Sequence, residues 1–354
     1  MKIILELYVE PKEYLILRFY QKEFKIKFLY KFLAKILTAN IKKNIFFLLN
    51  SDEFKLLNKF KNIDISDIDF QGYDKNSIAV LKSILFKIKS IYSVKRFLPY
   101  LKFYTKADKE KINELNNNFY NHILKNKQGY YQYKSYTLPI NHFEPSVIYY
   151  KHGIGELSEE SLNKIKNADI IDAGGYIGDS ALVLSEYTNK NIYSFECCTE
   201  QFNLMQKTIE LNSKKNIIPV KLALGNTIEK SKINIYSSAC LNTIINNDNY
   251  NIQKNSEEIN ITTLDNFVEQ NNLKVGLIKA DIEGMEQNLI LGSINIIRKF
   301  KPVLIISIYH STEDFLKIKP MIDNLNLGYV FKIYKPFDGC VINDLVLIAQ
   351  CDFN

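Results

Sequence analysis

The sequence predicts an α/β fold, in which a mostly parallel sheet with helices on both faces follows a mainly helical N-terminal region. From Asp169 onward, short apolar runs alternate with helical segments, as in successive β-α units. A glycine-rich turn follows the first of these apolar runs. The earlier part of the chain lacks this alternation. We therefore predict a basic N-terminal region over residues 1–140 and an α/β domain over residues 141–354.

The composition is that of an ordinary globular protein. Of the 354 residues, 46% are hydrophobic and 24% are charged, which excludes a disordered or collagen-like chain. Glu6 and Glu10 interrupt the apolar start of the chain, and no run reaches about 18 apolar residues. Five cysteines without a C-x-x-C spacing suit a reducing compartment. We expect a cytoplasmic protein without a signal peptide or a membrane span.

The excess of positive over negative charge is confined to the N-terminal part. Residues 1–150 hold 26 Lys and Arg against 14 Asp and Glu, a net charge of +12, whereas the remainder has a net charge of −5. Residues 24–37 have helical periodicity, with Lys27, Lys31 and Lys35 in one stripe beside Phe and Leu. Such a helix suits peripheral contact with an anionic membrane surface, or equally a helix packed in a bundle. Because nearly all the basic residues are Lys, nucleic acid is not the expected partner.

Further helices are predicted over residues 78–101 and 109–124. Residues 130–150 are rich in Tyr and contain Pro139 and Pro145, which indicates an extended or irregular junction between the two regions. The N-terminal region shows no repeat and no catalytic motif.

A ligand-binding loop is predicted at the start of the α/β domain. Asp169–Ala173 is the first strand, and the chain then turns through Gly174, Gly175 and Gly178 into a helix beginning at Asp179. The next strand ends at Glu196, where an acidic residue can bind ribose hydroxyls. This order is typical of a Rossmann-like nucleotide site, although Glu196 could also be a solvated carboxylate at a strand end.

Details of the loop indicate which ligand it binds. A dinucleotide fingerprint needs a second glycine where this chain has Tyr176, so a pyrophosphate fits poorly. S-adenosylmethionine carries no phosphate and has an ammonium group, next to which the carboxylate of Asp172 is tolerated. The loop therefore favours S-adenosylmethionine over a dinucleotide.

Four segments resemble the FkbM family of methyltransferases in order and spacing: residues 171–180, Tyr193-Ser-Phe-Glu196, Lys221-Leu-Ala-Leu-Gly225 and Ile278-Lys-Ala-Asp-Ile-Glu-Gly-Met-Glu286. The resemblance covers residues 150–349. It implies transfer of a methyl group from S-adenosylmethionine to an oxygen, commonly a hydroxyl of a sugar or secondary metabolite. The family usually has Pro where this chain has Cys197, which affects the adenine side. The cofactor-binding residues implied are Asp172, Gly174, Gly175, Tyr176, Gly178, Ser180, Glu196, Ala223 and Asp281.

A hydroxyl acceptor must lose its proton as the new bond forms, so a general base is expected at the carboxyl edge of the sheet. Asp281 and Glu283 follow a buried strand there, and His310 follows the strand at 302–308. Glu283 and Glu286 could instead complement a helix dipole, and His310 could cap the helix after Glu313. No third metal ligand has a recognisable spacing from Asp281 and Glu283, so no metal is expected.

The end of the chain predicts the antiparallel hairpin of a methyltransferase sheet, formed by residues 329–335 and 344–349. The preferred function is an O-methyltransferase acting on a sugar in a surface glycan or glycolipid. Two alternatives remain. One is a dinucleotide-dependent oxidoreductase, and the other is a non-catalytic module that binds an anionic membrane or nucleic acid.

Overall fold

The structure is a computed structural model that describes residues 7–10, 14–19, 22–26, 45–48, 51–94, 101–104, 106–234, 243–244 and 256–351. Two small antiparallel sheets come first. Their strands are β1 (Leu7–Glu10), β2 (Tyr14–Phe19) and β3 (Lys22–Ile26) in one sheet, and β4 (Ile45–Leu48) and β5 (Leu101–Tyr104) in the other.

The amphipathic helix predicted over residues 24–37 is wrong at its start, because residues 24–26 belong to β3 and pair with β2. The rest of that segment, with Lys27, Lys31 and Lys35, lies outside the described residues. Its proposed contact with a membrane stays a prediction. Among the helices that the structure describes, none is long and apolar enough to cross a membrane.

Among the described residues, the N-terminal part also has three α-helices, α1 (Ser51–Phe60), α2 (Lys75–Val94) and α3 (Lys106–Asn118), with β5 between α2 and α3. The predicted helices at 78–101 and 109–124 are confirmed as α2 and α3, with shorter C-terminal ends, because Leu101 and Leu124 lie in strands. The junction is also extended, as predicted. It forms β6 (Leu124–Lys125), β7 (Tyr131–Tyr133) and β8 (Tyr136–Leu138), and then a helical turn at Pro145–Tyr149.

The rest of the chain alternates strands and helices as the sequence predicts. The elements are α4 (Glu159–Lys166), β9 (Asp169–Ala173), α5 (Asp179–Leu184), β10 (Ile192–Phe195), α6 (Thr199–Leu211), β11 (Ile217–Val220), β12 (Ala223–Leu224), β13 (Glu229–Asn234), β14 (Thr243–Ile244), β15 (Ser256–Thr262), α7 (Leu264–Gln270), β16 (Val275–Ala280), α8 (Glu286–Leu291), α9 (Ile294–Phe300), β17 (Val303–Ser307), α10 (Thr312–Asp323), β18 (Tyr329–Tyr334) and β19 (Val346–Cys351). The helices α8 and α9 are separated only by Gly292 and Ser293.

Seven strands form the central sheet in the order β11-β10-β9-β16-β17-β19-β18. All neighbours are parallel except β19, which runs antiparallel to β17 and β18 and forms the predicted hairpin. The carboxyl ends of β9, β10, β16 and β17 therefore meet at one edge, where a ligand can reach all of them. This edge contains the predicted site residues.

Period-2 alternation along the strands explains why helices cover both faces. Ile170, Leu277 and Ile305 face one hydrophobic core, which includes α3, α4, α5 and residues 131–157. Ile171, Ile278 and Ile306 face the other core. Every residue of β16 and β17 is buried, as expected for central strands covered on both sides.

The N-terminal helices α1 and α2 share the second of these cores with the sheet. Leu57, Phe60, Leu81 and Ile88 are buried within it, and the Phe60 ring packs edge-on against Phe315 of α10 at 5.7 Å. The side chain of Ser77 in α2 accepts a hydrogen bond from the backbone N–H of Ile333 in β18. The boundary placed at residue 140 stays a prediction, but residues 51–94 pack directly on the α/β unit.

Candidate active site

The glycine loop after β9 lies directly against the neighbouring strand. The backbone N–H groups of Gly174 and Gly175 both donate to the Phe195 carbonyl, at 3.1 and 2.8 Å. A Cβ on Gly175 would lie 2.0 Å from Oγ of Ser194 and 2.7 Å from Cε of Met205, so no larger residue fits. The loop then enters α5 through Gly178, as predicted.

Asp172, at the base of the loop, is completely buried. Its Oδ2 accepts hydrogen bonds from Ser180 at 2.8 Å and Ser194 at 2.7 Å, and its Oδ1 lies 3.1 Å from Nζ of Lys279. Lys279 also donates to the carbonyl of Gly174 at 2.8 Å. The side chains of Asp172 and Ser180 therefore hold the loop from beneath. Their predicted contact with the cofactor stays a prediction.

Glu196 lies beside the loop at the end of β10. Its Oε1 accepts the backbone N–H of Cys198 at 2.8 Å. Burial raises the pKa of Glu196 to about 7, and hydrogen bonds from the backbone of Cys198 and Tyr176 oppose this rise only in part. The bond from Tyr176 joins the loop to this carboxylate, so the predicted proximity of the two is present.

The other side of Glu196 is apolar. Cys198 and Ala223 belong to a small buried cluster with Ile233, Ile259 and Ile261, and Cys197 packs against it. Ala223, one of the predicted cofactor-binding residues, therefore lies in the same cluster as Cys198. Its contact with the cofactor stays a prediction.

Tyr176 has a left-handed backbone with φ of 46° and a half-buried side chain. Its ring packs edge-on against His142, with the ring centroids 4.8 Å apart. Nε2 of His142 lies 3.2 Å from Oε1 of Glu144. The sequence pattern over residues 130–150 indicated only a junction and did not point to His142 or Glu144. The available signal was two ionisable residues, separated by Phe143, in a Tyr-rich stretch.

The predicted catalytic residues come together at the ends of β16 and β17. Nε2 of His310 lies 3.2 Å from Oδ1 of Asp281 and 3.7 Å from Oε2 of Glu283. Its Nδ1 lies 2.9 Å from Oε1 of Glu286. Tyr309 donates from its hydroxyl to Asp281 at 3.3 Å. His310 is thus surrounded by three carboxylates. For one of them, Glu286, the sequence had suggested only a charge that complements a helix dipole.

This arrangement determines the charges of the cluster. Burial disfavours the imidazolium, but the carboxylates of Glu286 and Asp281 outweigh it and hold the pKa of His310 well above its usual value. Burial also disfavours ionised Asp281, yet its contact with His310 and the charge of Lys279 lower the pKa of Asp281 to about 2. Burial raises the pKa of Glu283. His310 is therefore a cation near neutral pH, and Asp281 is an anion.

Asp281, Glu286 and His310 each bring one donor atom within 4.8 Å of the others, a spacing at which three side chains could hold a metal ion. No metal was expected from the sequence because the third ligand was missing, and the fold supplies candidates from Glu286 and His310. The cluster already balances its charges by direct pairing of His310 with two carboxylates. A metal would have to displace those pairs.

Comparison with known proteins identifies the domain. Residues 172–331 match the model of the methyltransferase FkbM domain. A search of curated proteins finds no match. Residues 172–331 therefore form a methyltransferase domain of the FkbM type, which uses S-adenosylmethionine.

Among solved structures, this chain is similar to two proteins described as methyltransferases. The crystal structure of an FkbM methyltransferase from Methylobacillus flagellatus is 15% identical, matches 90% of this chain and 60% of its own, and has a TM-score of 0.48. This chain thus spans 60% of that structure's length. A putative methyltransferase from Streptococcus mutans, solved with SAH, is 13% identical and matches 54% of this chain and 96% of its own, with a TM-score of 0.33.

Proposed function

We propose that the protein transfers a methyl group from S-adenosylmethionine to a hydroxyl oxygen of a sugar in a surface glycan or glycolipid. The observation that carries this proposal is the position of ionised Asp281. Its backbone N–H donates to the carbonyl of Ala173, and a Cβ on Gly174 would lie 1.9 Å from its carbonyl oxygen. Asp281 is therefore in contact with the glycine loop at the edge where the sheet's carboxyl ends meet.

The charges at this edge suit a cationic ligand better than an anionic one. Among the described residues at the ends of β10 and β16, Glu196 and Asp281 offer carboxylates. The lysine of β16, Lys279, is neutralised by Asp172. A pyrophosphate would meet carboxylates here, whereas S-adenosylmethionine would bring a sulfonium and an ammonium group. For this reason we prefer a methyltransferase to a dinucleotide-dependent oxidoreductase.

The cofactor would be held by the loop and the strand ends. Gly174, Gly175, Tyr176 and Gly178 form the loop wall, Glu196 is positioned for the ribose hydroxyls, and Ala223 lies on the adenine side. When bound, S-adenosylmethionine supplies a methyl group already activated by its sulfonium. The protein then has to align the acceptor oxygen and accept its proton.

Proton-accepting groups near Asp281 support an oxygen acceptor. His310 is a poor base because it already holds a proton, so we assign it to positioning Asp281 and balancing its charge. Asp281 and Glu283 are the carboxylates that can orient the acceptor hydroxyl. Asp281 is more constrained, since it contacts both His310 and Tyr309.

The glycan setting is supported by the N-terminal charge of +12, which suits an anionic surface. Flotation with anionic vesicles tests it, comparing the natural chain with one carrying Lys27→Glu, Lys31→Glu and Lys35→Glu. Weaker flotation of the altered chain is expected. Equal flotation of the two chains would show that these lysines do not bind an anionic membrane, and the glycan setting would lose this support.

The activity is tested by calorimetry with S-adenosylmethionine and with NAD, followed by a panel of methyl glycosides and mass spectrometry. We expect binding of S-adenosylmethionine alone and a mass gain of one methyl group on a hydroxyl. Binding of NAD without S-adenosylmethionine would overturn the proposal. Binding without transfer to any glycoside would favour the non-catalytic alternative.

A further inference from the structure

A strained turn buries a histidine next to the candidate site. Lys151, His152 and Gly153 have φ values of 51°, 53° and 77°, all in the left-handed region. Gly153 is suited to this backbone, and the ring of Tyr334 occupies the space that a Cβ would need. His152 adopts it without being glycine, which is unfavourable unless the surroundings impose it. The turn directs the imidazole into the protein.

The buried imidazole has an unsatisfied nitrogen. His152 is 9% exposed, and its Nε2 has no hydrogen-bond partner among the described residues. Oγ of Ser146 is likewise buried without a partner. A buried polar atom without a partner costs free energy, so two in one place indicate a ligand or a water molecule between them.

His152 and Ser146 line the same cavity. Its volume is about 20 Å³, and Asp281, Ser307 and Asp344 also contribute to its wall. This space holds one water molecule or one hydroxyl group but not a sugar ring. Ser307 ends β17 and Asp344 precedes β19, so the cavity lies at the edge of the sheet that carries Asp281.

The groups around the cavity favour an uncharged guest. Burial lowers the pKa of His152 to about 4, the charge of Lys279 lowers it further, and the charges of Asp172 and Asp281 oppose this in part. His152 is therefore neutral and can accept a proton. Burial and nearby carboxylates raise the pKa of Asp344 well above its usual value, which favours its uncharged form. A second anion would be repelled by Asp281.

We propose that this cavity holds the hydroxyl group of the acceptor and that Nε2 of His152 accepts the hydroxyl proton during methyl transfer. The inference rests on the proposed function. As the acceptor oxygen bonds to the methyl carbon, the electron pair of the breaking S–C bond stays on sulfur. The oxygen becomes an oxonium, which is acidic enough to protonate even a weakly basic imidazole, and the proton then passes to solvent.

The test uses the full chain labelled with ¹⁵N-histidine, which has only four histidines to distinguish. With S-adenosylhomocysteine bound, we expect His152 to be neutral at pH 7 and its nitrogen signals to shift when a methyl glycoside that is methylated in the activity assay is added. This measurement needs no substitution, so it stands even if a variant fails to fold. If a glycoside is methylated but does not shift the nitrogen signals of His152, the role of His152 is overturned while the proposed function stands.

The matched variants are His152→Gln and His122→Gln, the second at an exposed position. His152→Gln should keep its affinity for S-adenosylmethionine within about twofold and lose transfer by about 100-fold or more. His122→Gln should behave like the natural chain. Transfer by His152→Gln within threefold of the natural rate would also overturn the inference. If the natural chain itself does not bind S-adenosylmethionine, that result would instead contradict the proposed function.

Discussion

Nδ1 of His310 lies 2.9 Å from Oε1 of Glu286, and this buried carboxylate also shapes the loop that carries Asp281. Its two oxygens accept the backbone N–H groups of Ile282 at 2.8 Å and Gly284 at 2.9 Å. Gly284 has φ of 97°, a conformation that favours glycine. Glu286 therefore fixes the loop and the cationic state of His310 together, and both act on Asp281.

Replacing Glu286 by Gln should destabilise the protein by about 3 kcal/mol, because it leaves buried His310 without its main counter-charge. The effect should depend on pH. The pKa of His310 is raised on folding, so its stabilisation is fully present below pH of about 6.5 and is lost as the pH rises through the folded-state pKa. Urea unfolding at several pH values should show the largest gap between the two proteins at pH 6. A gap that does not narrow at high pH would contradict this account.

Asp281→Asn should retain the fold and reduce methyl transfer by about 100-fold or more, since the amide has the same shape but lacks the negative charge that orients the acceptor. Circular dichroism and the glycoside assay measure both properties. Glu160→Gln, at an exposed position on α4, is the matched control and should be fully active. Full activity of Asp281→Asn would show that this carboxylate is not essential.

Lys279→Met should cost about 3 kcal/mol of unfolding free energy, because it leaves the completely buried Asp172 unpaired. The same change removes the hydrogen bond to the Gly174 carbonyl, so affinity for S-adenosylmethionine should fall as well. Lys274→Met, at an exposed position before β16, is the control. If both variants unfold at the same urea concentration, the ion pair does not stabilise the loop.

Gly175→Ala should destabilise the protein by about 3 kcal/mol and weaken cofactor binding, since the added Cβ would overlap Ser194 and Met205. Gly155→Ala provides a comparison, because a Cβ there meets nothing within 4 Å. Thermal unfolding and calorimetry with S-adenosylmethionine distinguish the two variants. Tolerance of Gly175→Ala would mean that the loop can move away from β10.

The buried His152 should make the protein less stable in acid. Its pKa falls from the ordinary 6.5 to about 4 on folding, so the unfolded chain binds a proton more readily between those values. The natural chain should therefore lose about 3 kcal/mol relative to His152→Gln as the pH falls from 6.5 to 4. Parallel stability curves over that range would indicate that the imidazole is hydrated in the folded state.

Local patterns in the sequence determined the elements around the cofactor loop. The strand Asp169–Ala173, the glycine turn and the strand ending at Phe195 depend on residues close together in the chain, and the structure has them as predicted. The C-terminal hairpin could also be predicted from the local sequence, because alternating apolar residues flank a turn. The resemblance to the FkbM family rested on the same short segments.

Only the tertiary structure determined which charged side chains of the site contact each other. His310 meets Glu286 because β16 and β17 are neighbours, and Asp172 meets Lys279 because the two residues are register partners in adjacent strands. No periodicity within one segment specifies such pairs, so the ion pair of Asp172 with Lys279 could not be predicted from the sequence. His152 was missed for the same reason. Its chemistry depends on a strained turn packed beneath residues almost 200 positions away, and only packing of the whole chain brings them together.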